Sequence, residues 1–299
     1  LPDDGPSGIV RPPLLIVGRG LARGVHVRKV ELGRTGIETS YLAIGTGTSG
    51  WNGVSNQTRL GFDTCVDMLR YAHDRGVTFF DTADQYGSHP HVAKVVDAVG
   101  ADNVVICTKS CAADAAAIEA DIPRYLRELH VERLDILLMH CMTNADWPTD
   151  RRAVMDAMSA HKERGTIGAV GVSCHDFGAM QAAAKEPWVD VILARINYDG
   201  VHMDATPAEI RALLTRMHDD GKGVYGMKVV GCGQLADNYA KGIEYVHGLD
   251  CVDAITMGME SRDQVDANVA CIEALDRSET PPAAATLTGD SGVSGHASA

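Results

Sequence analysis

The chain is short of positive charge: 27 Lys and Arg stand against 40 Asp and Glu, and the formal net charge at pH 7 is −13. Nucleic acid and anionic lipid surfaces are held by basic patches, so this balance argues against both and favours a small-molecule partner. Long hydrophobic runs are missing too. Nothing approaches the roughly 18 apolar residues that cross a bilayer, and LLIV at 14–17 is too short for the core of a signal peptide. The chain begins at Leu1, which leaves room for an upstream targeting segment removed before this point. Nor is there a disulfide framework. Eight cysteines (65, 107, 111, 141, 174, 232, 251, 271) are scattered through 299 residues, which points to reduced thiols and a cytoplasmic setting. Cys107 and Cys111 form one close pair. With no second pair to complete a zinc site, they read as small buried hydrophobes.

What the chain does have is alternation. Eight short apolar runs recur, namely YLAIG, VTFFD, VVICTK, LDILLMH, AVGVS, VDVILARIN, VYGMKVV and DAITMG. Between them lie stretches of helical period. In one, Cys65, Leu69 and Ala72 share a face and Gly76 supplies the stop; in another, Val265, Val269 and Ile272 do the same. From the second run onward, the polar or glycine residues at the C-terminal ends are Asp81, Lys109, His140, Ser173, Asn197, Lys228 and Gly258, separated by 28, 31, 33, 24, 31 and 30 residues. Each gap is the length of one strand, one helix and two short loops. Eight such units predict an α/β fold, a (β/α)8 TIM barrel over residues 28–277, with chemistry at the strand ends. HVRKVELGRTGIETSYL predicts a β-hairpin turning at Gly33-Arg34-Thr35-Gly36 and closing the barrel bottom. Residues 1–27 read as a loosely ordered extension. Residues 278–299, rich in small and turn-forming types, read as a disordered tail.

The second strand delivers Asp81, and the loop after it delivers Tyr86. A phenol with a pKa near 10 is a reluctant acid at neutral pH. A lysine ammonium beside it favours the phenolate, and Lys109 on the next strand is placed to supply one, held in turn by Asp81. His140, one strand further, can hydrogen-bond a substrate oxygen. The set suits adding a proton to a carbonyl oxygen while something else adds hydride to carbon.

These residues resemble the aldo-keto reductase family. FFDTADQYG, the lysine of VVICTKS, the histidine of LDILLMH, the GVS of AVGVSCHD and the late GMESRDQVDANV follow the family's order from about Arg28 to Leu275. The resemblance implies a catalytic tetrad of Asp81, Tyr86, Lys109 and His140. It also implies a nicotinamide cofactor extended across the barrel mouth, NADP(H) by family habit with NAD(H) as the alternative. Gly45, Thr46, Asp81, Ser173, Arg262, Gln264 and Asn268 are the implied cofactor-binding residues, and no metal is implied. The implied activity is reduction of an aldehyde or ketone of a small molecule to an alcohol. Three positions depart from the family pattern: Cys174 replaces the asparagine after the serine, Leu193 a glutamine, and Met227 a stacking aromatic. Arg262 favours a cofactor 2′-phosphate, and Glu260 opposes it.

Other readings compete. GTGTSG at 45–50 is a literal GxGxxG, but WNGVSN follows it and opens no helix; Gly18, Gly20 and Gly24 likewise lead into strand-like sequence. His89-Pro90-His91 has a metal-hydrolase outline but lies after the strand, where an exposed loop is the simpler reading. Lys109 as a Schiff-base lysine would need a lowered pKa, which Asp81 opposes. A regulatory cofactor-binding redox sensor with little turnover is the alternative from a different class. Trp51 and Trp147, in the loops after the first and fourth strands, are candidate pocket walls.

Overall fold

The computed structural model describes residues 27–282; the expectations for residues 1–26 and 283–299 lie outside them. A two-stranded antiparallel hairpin, β1 (Lys29–Glu31) and β2 (Glu38–Ser40), precedes eight parallel strands. These are β3 (Leu42–Gly45), β4 (Phe79–Asp81), β5 (Val105–Ser110), β6 (Leu134–Met142), β7 (Ile167–Cys174), β8 (Val191–Arg195), β9 (Gly223–Met227) and β10 (Ala254–Gly258). They close in sequence order, with β10 pairing β3 to seal the barrel. The chain is thus a (β/α)8 barrel, as the spacing of the apolar runs predicts.

Strand parity sorts the side chains. Ala43, Phe79, Cys107, Leu138, Ala169, Leu193, Tyr225 and Ala254 pack together inside the barrel. Residues one position away, such as Leu42, Phe80, Ile106, Leu137 and Ile255, face the helices. Two residues beyond the interior set, on the same faces, come Gly45, Asp81, Lys109, His140, Ser173 (four beyond Ala169), Arg195, Met227 and Thr256. Apart from Gly45 and Met227, the barrel's top layer is therefore polar where its middle is apolar.

The hairpin is the floor. Leu32 and Ile37 join the interior cluster from below. Gly33 has a φ of 52°, and a Cβ there would lie 2.3 Å from the Gly223 amide nitrogen, so only glycine allows the turn to sit against the start of β9. The Arg34 amide donates to the Gly221 carbonyl at 2.9 Å, and the Gly33 amide to Asp253 Oδ2 at 3.2 Å.

Helix Phe62–Asp74 buries Cys65, Met68, Leu69 and Ala72, an i, i+3, i+4, i+7 stripe, against the barrel. Full burial of a side chain such as Leu69 contributes about 2 kcal/mol. Gly76, in left-handed conformation, ends it by donating to the His73 carbonyl at 2.8 Å. Helix Arg262–Asp276 is capped by Ser261 and buries Val265, Val269 and Ile272. Just past its C-cap Arg277, the Glu279 amide donates to the Ala274 carbonyl at 2.8 Å. Among the described residues no helix is long and apolar enough to cross a membrane.

Candidate active site

Asp81, Lys109 and His140 meet because β4, β5 and β6 are neighbours in register, with all three side chains on the inner face at the strand ends. Lys109 is fully buried. Its ammonium donates to Asp81 Oδ1 at 2.5 Å and to the Thr82 carbonyl at 2.8 Å. Tyr86 rises from a 3-10 turn, Asp84–Tyr86, that follows β4 directly. Its hydroxyl lies 3.2 Å from His140 Nε2, with the two rings edge to face, and Lys109 Nζ stands 5.2 Å from the phenol centroid. The four residues therefore form one connected set, with the phenol at its outer edge.

The glycines of GTGTSG serve this phenol. A Cβ on Gly47 would lie 2.2 Å from Tyr86 Cε2, and one on Gly50 would lie 2.6 Å from Tyr86 Cδ1. No ordinary side chain tolerates such contacts, so the loop wraps the ring only because those positions are glycine. The fingerprint-like spacing is a cradle for Tyr86, not a strand-to-helix dinucleotide turn.

Two residues not anticipated from the sequence complete the set. Tyr225 donates to Asp81 Oδ1 at 3.3 Å and lies 3.1 Å from Cys107 Sγ, while Thr256 donates to Asp81 Oδ2 at 3.1 Å. Each lies two residues before a strand-end residue already noted, so strand parity carried the signal.

Burial dominates the electrostatics. It pushes the Tyr86 phenol up to about 12, outweighing the downward pull of Lys109, and Asp81 adds to the rise. Lys109 thus pulls the phenol down, as the sequence suggests, but burial outweighs it and the resting phenol stays protonated. Burial works against the Lys109 charge, but Asp81, Tyr86 and Cys107 together hold the ammonium above its ordinary range, the reverse of what a Schiff-base lysine needs. Burial, then the charges of Lys109 and His175, lowers His140 to about 2, so it is a neutral imidazole. Its Nδ1 is buried without a partner among the described residues.

The residues considered for a cofactor are distributed around the rim. Gly45 pairs with both Asp81 and Gly258 at the strand ends. Thr46 is fully buried, and its hydroxyl contacts the Asp81 carbonyl and Ser88, so it shapes the site from behind. Ser173 Oγ accepts from the Cys141 amide at 2.8 Å and retains its own proton to donate. Arg262, exposed at the start of its helix, lies over the Tyr71 ring at 5.0 Å. Gln264 Oε1 is taken by the Glu260 amide at 2.7 Å, and Glu260 Oε1 accepts from Asn56 at 2.8 Å. Asn268, almost buried, makes no side-chain hydrogen bond among the described residues. Ser173 at the end of β7, and Arg262 and Asn268 on the helix after β10, each present a side-chain donor.

Several expectations change. Trp147 is buried, its indole N–H donating to the Ala179 carbonyl at 3.1 Å, so it packs a loop and walls no pocket. Trp51 is 49% exposed with its ring 6.0 Å from that of His140, at the mouth. His89-Pro90-His91 is not an exposed loop but the first turn of helix His89–Val99, with both histidines buried. Proline suits that first turn, where its missing N–H costs nothing. His89 is bound at 2.8 Å by both Glu128 and Thr108. Asp84, His89 and Glu128 bring ligand atoms within 4.8 Å of one another, but the Arg124 guanidinium already bridges the two carboxylates, at 2.7 Å to Asp84 and 3.1 Å to Glu128. Cys107 is buried as expected, whereas Cys111 is exposed at the end of β5.

Comparison with known proteins gives the family. The Aldo/keto reductase family model matches residues 42–250. The chain belongs to the aldo-keto reductase family. It is 29% identical over 159 residues to aldo-keto reductase YhdN of Bacillus subtilis, covering 46% of this chain and 44% of that protein. It is 25% identical over 239 residues to the chloroplastic pyridoxal reductase of Arabidopsis thaliana, covering 71% and 62%. The match thus spans less than two thirds of either relative. Among solved structures, a Pseudomonas aeruginosa aldo-keto reductase superposes with a TM-score of 0.71 at 24% identity, covering 84% of this chain and 97% of its own. The holo form of a Bacillus halodurans aldo-keto reductase gives 0.68 at 20%, covering 88% and 99%. At those identities the superpositions speak for the fold.

Proposed function

We propose that this aldo-keto reductase reduces an aldehyde or ketone of a small molecule to the alcohol, with Tyr86 as the proton donor. The observation that carries this reading is the 3.2 Å contact between the Tyr86 hydroxyl and His140 Nε2 beside the buried Lys109–Asp81 pair. A carbonyl oxygen seated between the phenol and the imidazole receives two hydrogen bonds from groups that are neutral before reaction. When bound, NADPH or NADH supplies the hydride. As negative charge gathers on the carbonyl oxygen, the proton on Tyr86 Oη moves to it, and the charge passes to the phenolate.

At that point Lys109 matters. A cation about 5 Å away stabilises a new phenolate by about 3 kcal/mol at an effective dielectric of about 20, more than 100-fold in rate. Asp81 keeps the ammonium in place, and Tyr225 and Thr256 keep Asp81 in place. The high resting pKa of the phenol is compatible with this role, because the substrate's developing oxyanion is the stronger base. NADPH is the favoured cofactor, through the exposed Arg262. Glu260 is tethered to Asn56, which limits its opposition to a 2′-phosphate.

The test is oxidation of NADPH and NADH across a panel of aldehydes, ketones and sugars, with Tyr86→Phe alongside. Turnover by the native protein and its loss in the variant support the reading. Tight cofactor binding with no turnover of any carbonyl would replace it with a redox-sensor role.

A further inference from the structure

Tyr86 stands on a turn too short to hold itself. Asp84–Tyr86 is a single 3-10 turn, closed by the Tyr86 amide on the Ala83 carbonyl at 3.0 Å and the Gly87 amide on the Asp84 carbonyl at 3.3 Å. Such bonds have poorer geometry than those of an α-helix, so the turn takes its place from what grips it. Arg124 does so, from helix Ala115–Leu129, which follows β5. Its Nη1 donates to Asp84 Oδ1 at 2.7 Å and its Nη2 to Asp84 Oδ2 at 3.0 Å. Two parallel bonds from a planar fork fix direction as well as distance.

The guanidinium is itself held from its own helix. Nη2 also donates to Asp121 Oδ1 at 2.7 Å, and Nη1 to Glu128 Oε1 at 3.1 Å. Asp121 Oδ2 accepts from Ser110 Oγ at 2.6 Å. Glu128 Oε2 meets one ring nitrogen of His89 at 2.8 Å, and the other meets Thr108 Oγ1 at 2.8 Å. Thr108 and Ser110 flank Lys109 on β5. Both routes from the Tyr86 turn through Arg124 therefore end on the strand that carries Lys109, one residue to either side of it. Ion pairs that solvent reaches contribute little to stability, and the Arg124 side chain is 36% exposed, so the consequence of this network is placement rather than folding energy.

We propose that Arg124 is a positioning residue for the reduction: by gripping Asp84 it registers the Tyr86 turn against β5, and so sets where the phenol stands relative to Lys109 and His140. Arg124 touches neither phenol nor ammonium. It acts through Asp84 on one side and through Asp121 and Glu128 on the other. The effect on rate rests on the reduction proposed above, but the grip itself is testable without turnover.

The experiment follows kcat, cofactor Kd and amide hydrogen exchange in the full chain. Arg124→Met should lower kcat by about tenfold or more through misplacement of the phenol, with the Kd for NADPH and NADH changed less than about twofold. Arg124→Lys keeps the charge without the fork and should recover part of the loss. Asp84→Ala cuts the same grip while leaving Arg124 two carboxylates, so it reproduces the loss even where Arg124→Met folds poorly, and the two changes together should cost no more than either alone. In the Tyr86→Phe background, Arg124→Met should change the residual turnover by less than about twofold. By mass spectrometry, exchange should quicken at least about fivefold in peptides covering 83–88 and at the Gly53 amide, which donates to the Gln85 carbonyl at 2.9 Å, and stay unchanged in β6 and β10. Native kcat in both single variants, a full further loss in the Tyr86→Phe background, or quickened exchange throughout the barrel would overturn the proposal. If the native protein turns over no carbonyl, the reduction reading fails on its own, and the exchange of the 83–88 peptides still decides whether Arg124 holds the turn.

Discussion

The Tyr225 hydroxyl, from the opposite side of the barrel, donates to Asp81 Oδ1 at 3.3 Å, the same carboxylate oxygen that holds Lys109. Both tyrosine and lysine are fully buried, so the carboxylate is fixed by partners that solvent does not replace. Removing the hydroxyl in Tyr225→Phe leaves Asp81 Oδ1 its bond to Lys109 and costs about 1 kcal/mol of stability. The catalytic effect should show in kcat, because a looser Asp81 lets Lys109 wander from the phenol. We expect a fall of about 3- to 10-fold in kcat with unchanged cofactor Kd. A variant with native kcat would reduce Tyr225 to a packing residue.

The phenol and its glycine cradle make a paired prediction. Tyr86→Phe should lower kcat by about 10²- to 10⁴-fold, the range of general acid help, with little change in cofactor affinity. Gly47→Ala keeps the phenol but places a Cβ where the ring now lies, 2.2 Å from Cε2. Its kcat should fall by about 10-fold or more through misplacement alone. In the double variant, Gly47→Ala should cost almost nothing further, since both changes remove the same donor. Fully additive losses would show that the loop acts on something other than Tyr86.

The barrel and the meeting of Asp81, Tyr86, Lys109 and His140 at its mouth were legible in the sequence because both obey local rules. Short apolar runs at regular spacing give the strands, and the residue ending each run falls at the mouth. Tyr225 and Thr256 obey the same parity as the tetrad, but their partner Asp81 is more than 140 positions away in sequence, and parity alone does not say which inward residue meets which. The role of Gly47 and Gly50 was hidden for the same reason: spacing shows the absence of side chains, not the ring that fills the space. His89 looked like loop because Pro90 follows it, yet proline in a first helical turn is common, and the burial of His89 depends on Glu128 and Thr108 from other elements. Trp147 likewise revealed its place only through the distant Ala179 carbonyl.

Stability should depend on pH through His140. Its folded pKa is depressed, mainly by burial, from 6.5 to about 2, so below about 6.5 the unfolded chain binds a proton that the folded chain refuses. The contribution of this group is complete above the unfolded pKa and is lost as pH falls, by up to about 1.4 kcal/mol per unit well below it. His175, depressed to about 4, acts in the same direction over the upper part of that window. Urea unfolding at intervals between about pH 7 and 4 should show stability falling with acid, and His140→Gln should flatten the slope. An unchanged slope in the variant would mean that the imidazole is far more basic than its burial implies.

The proposed preference for NADPH rests on Arg262. Its guanidinium lies over Tyr71 at 5.0 Å and, exposed at the first turn of the helix, is free to reach a 2′-phosphate. Glu260, two residues earlier, is engaged with Asn56 through one oxygen, so its charge remains but its reach is limited. Because the contacts are wet, each charge is worth only about 1 kcal/mol, or several-fold in affinity, and the preference for NADPH should be modest. Arg262→Ala should weaken NADPH several-fold and barely affect NADH, while Glu260→Ala should strengthen NADPH selectively. Asn56→Ala, which frees Glu260, should act against NADPH. Fluorescence titration of both cofactors into the four proteins measures this, and equal effects of Arg262→Ala on the two cofactors would remove the arginine from 2′-phosphate recognition.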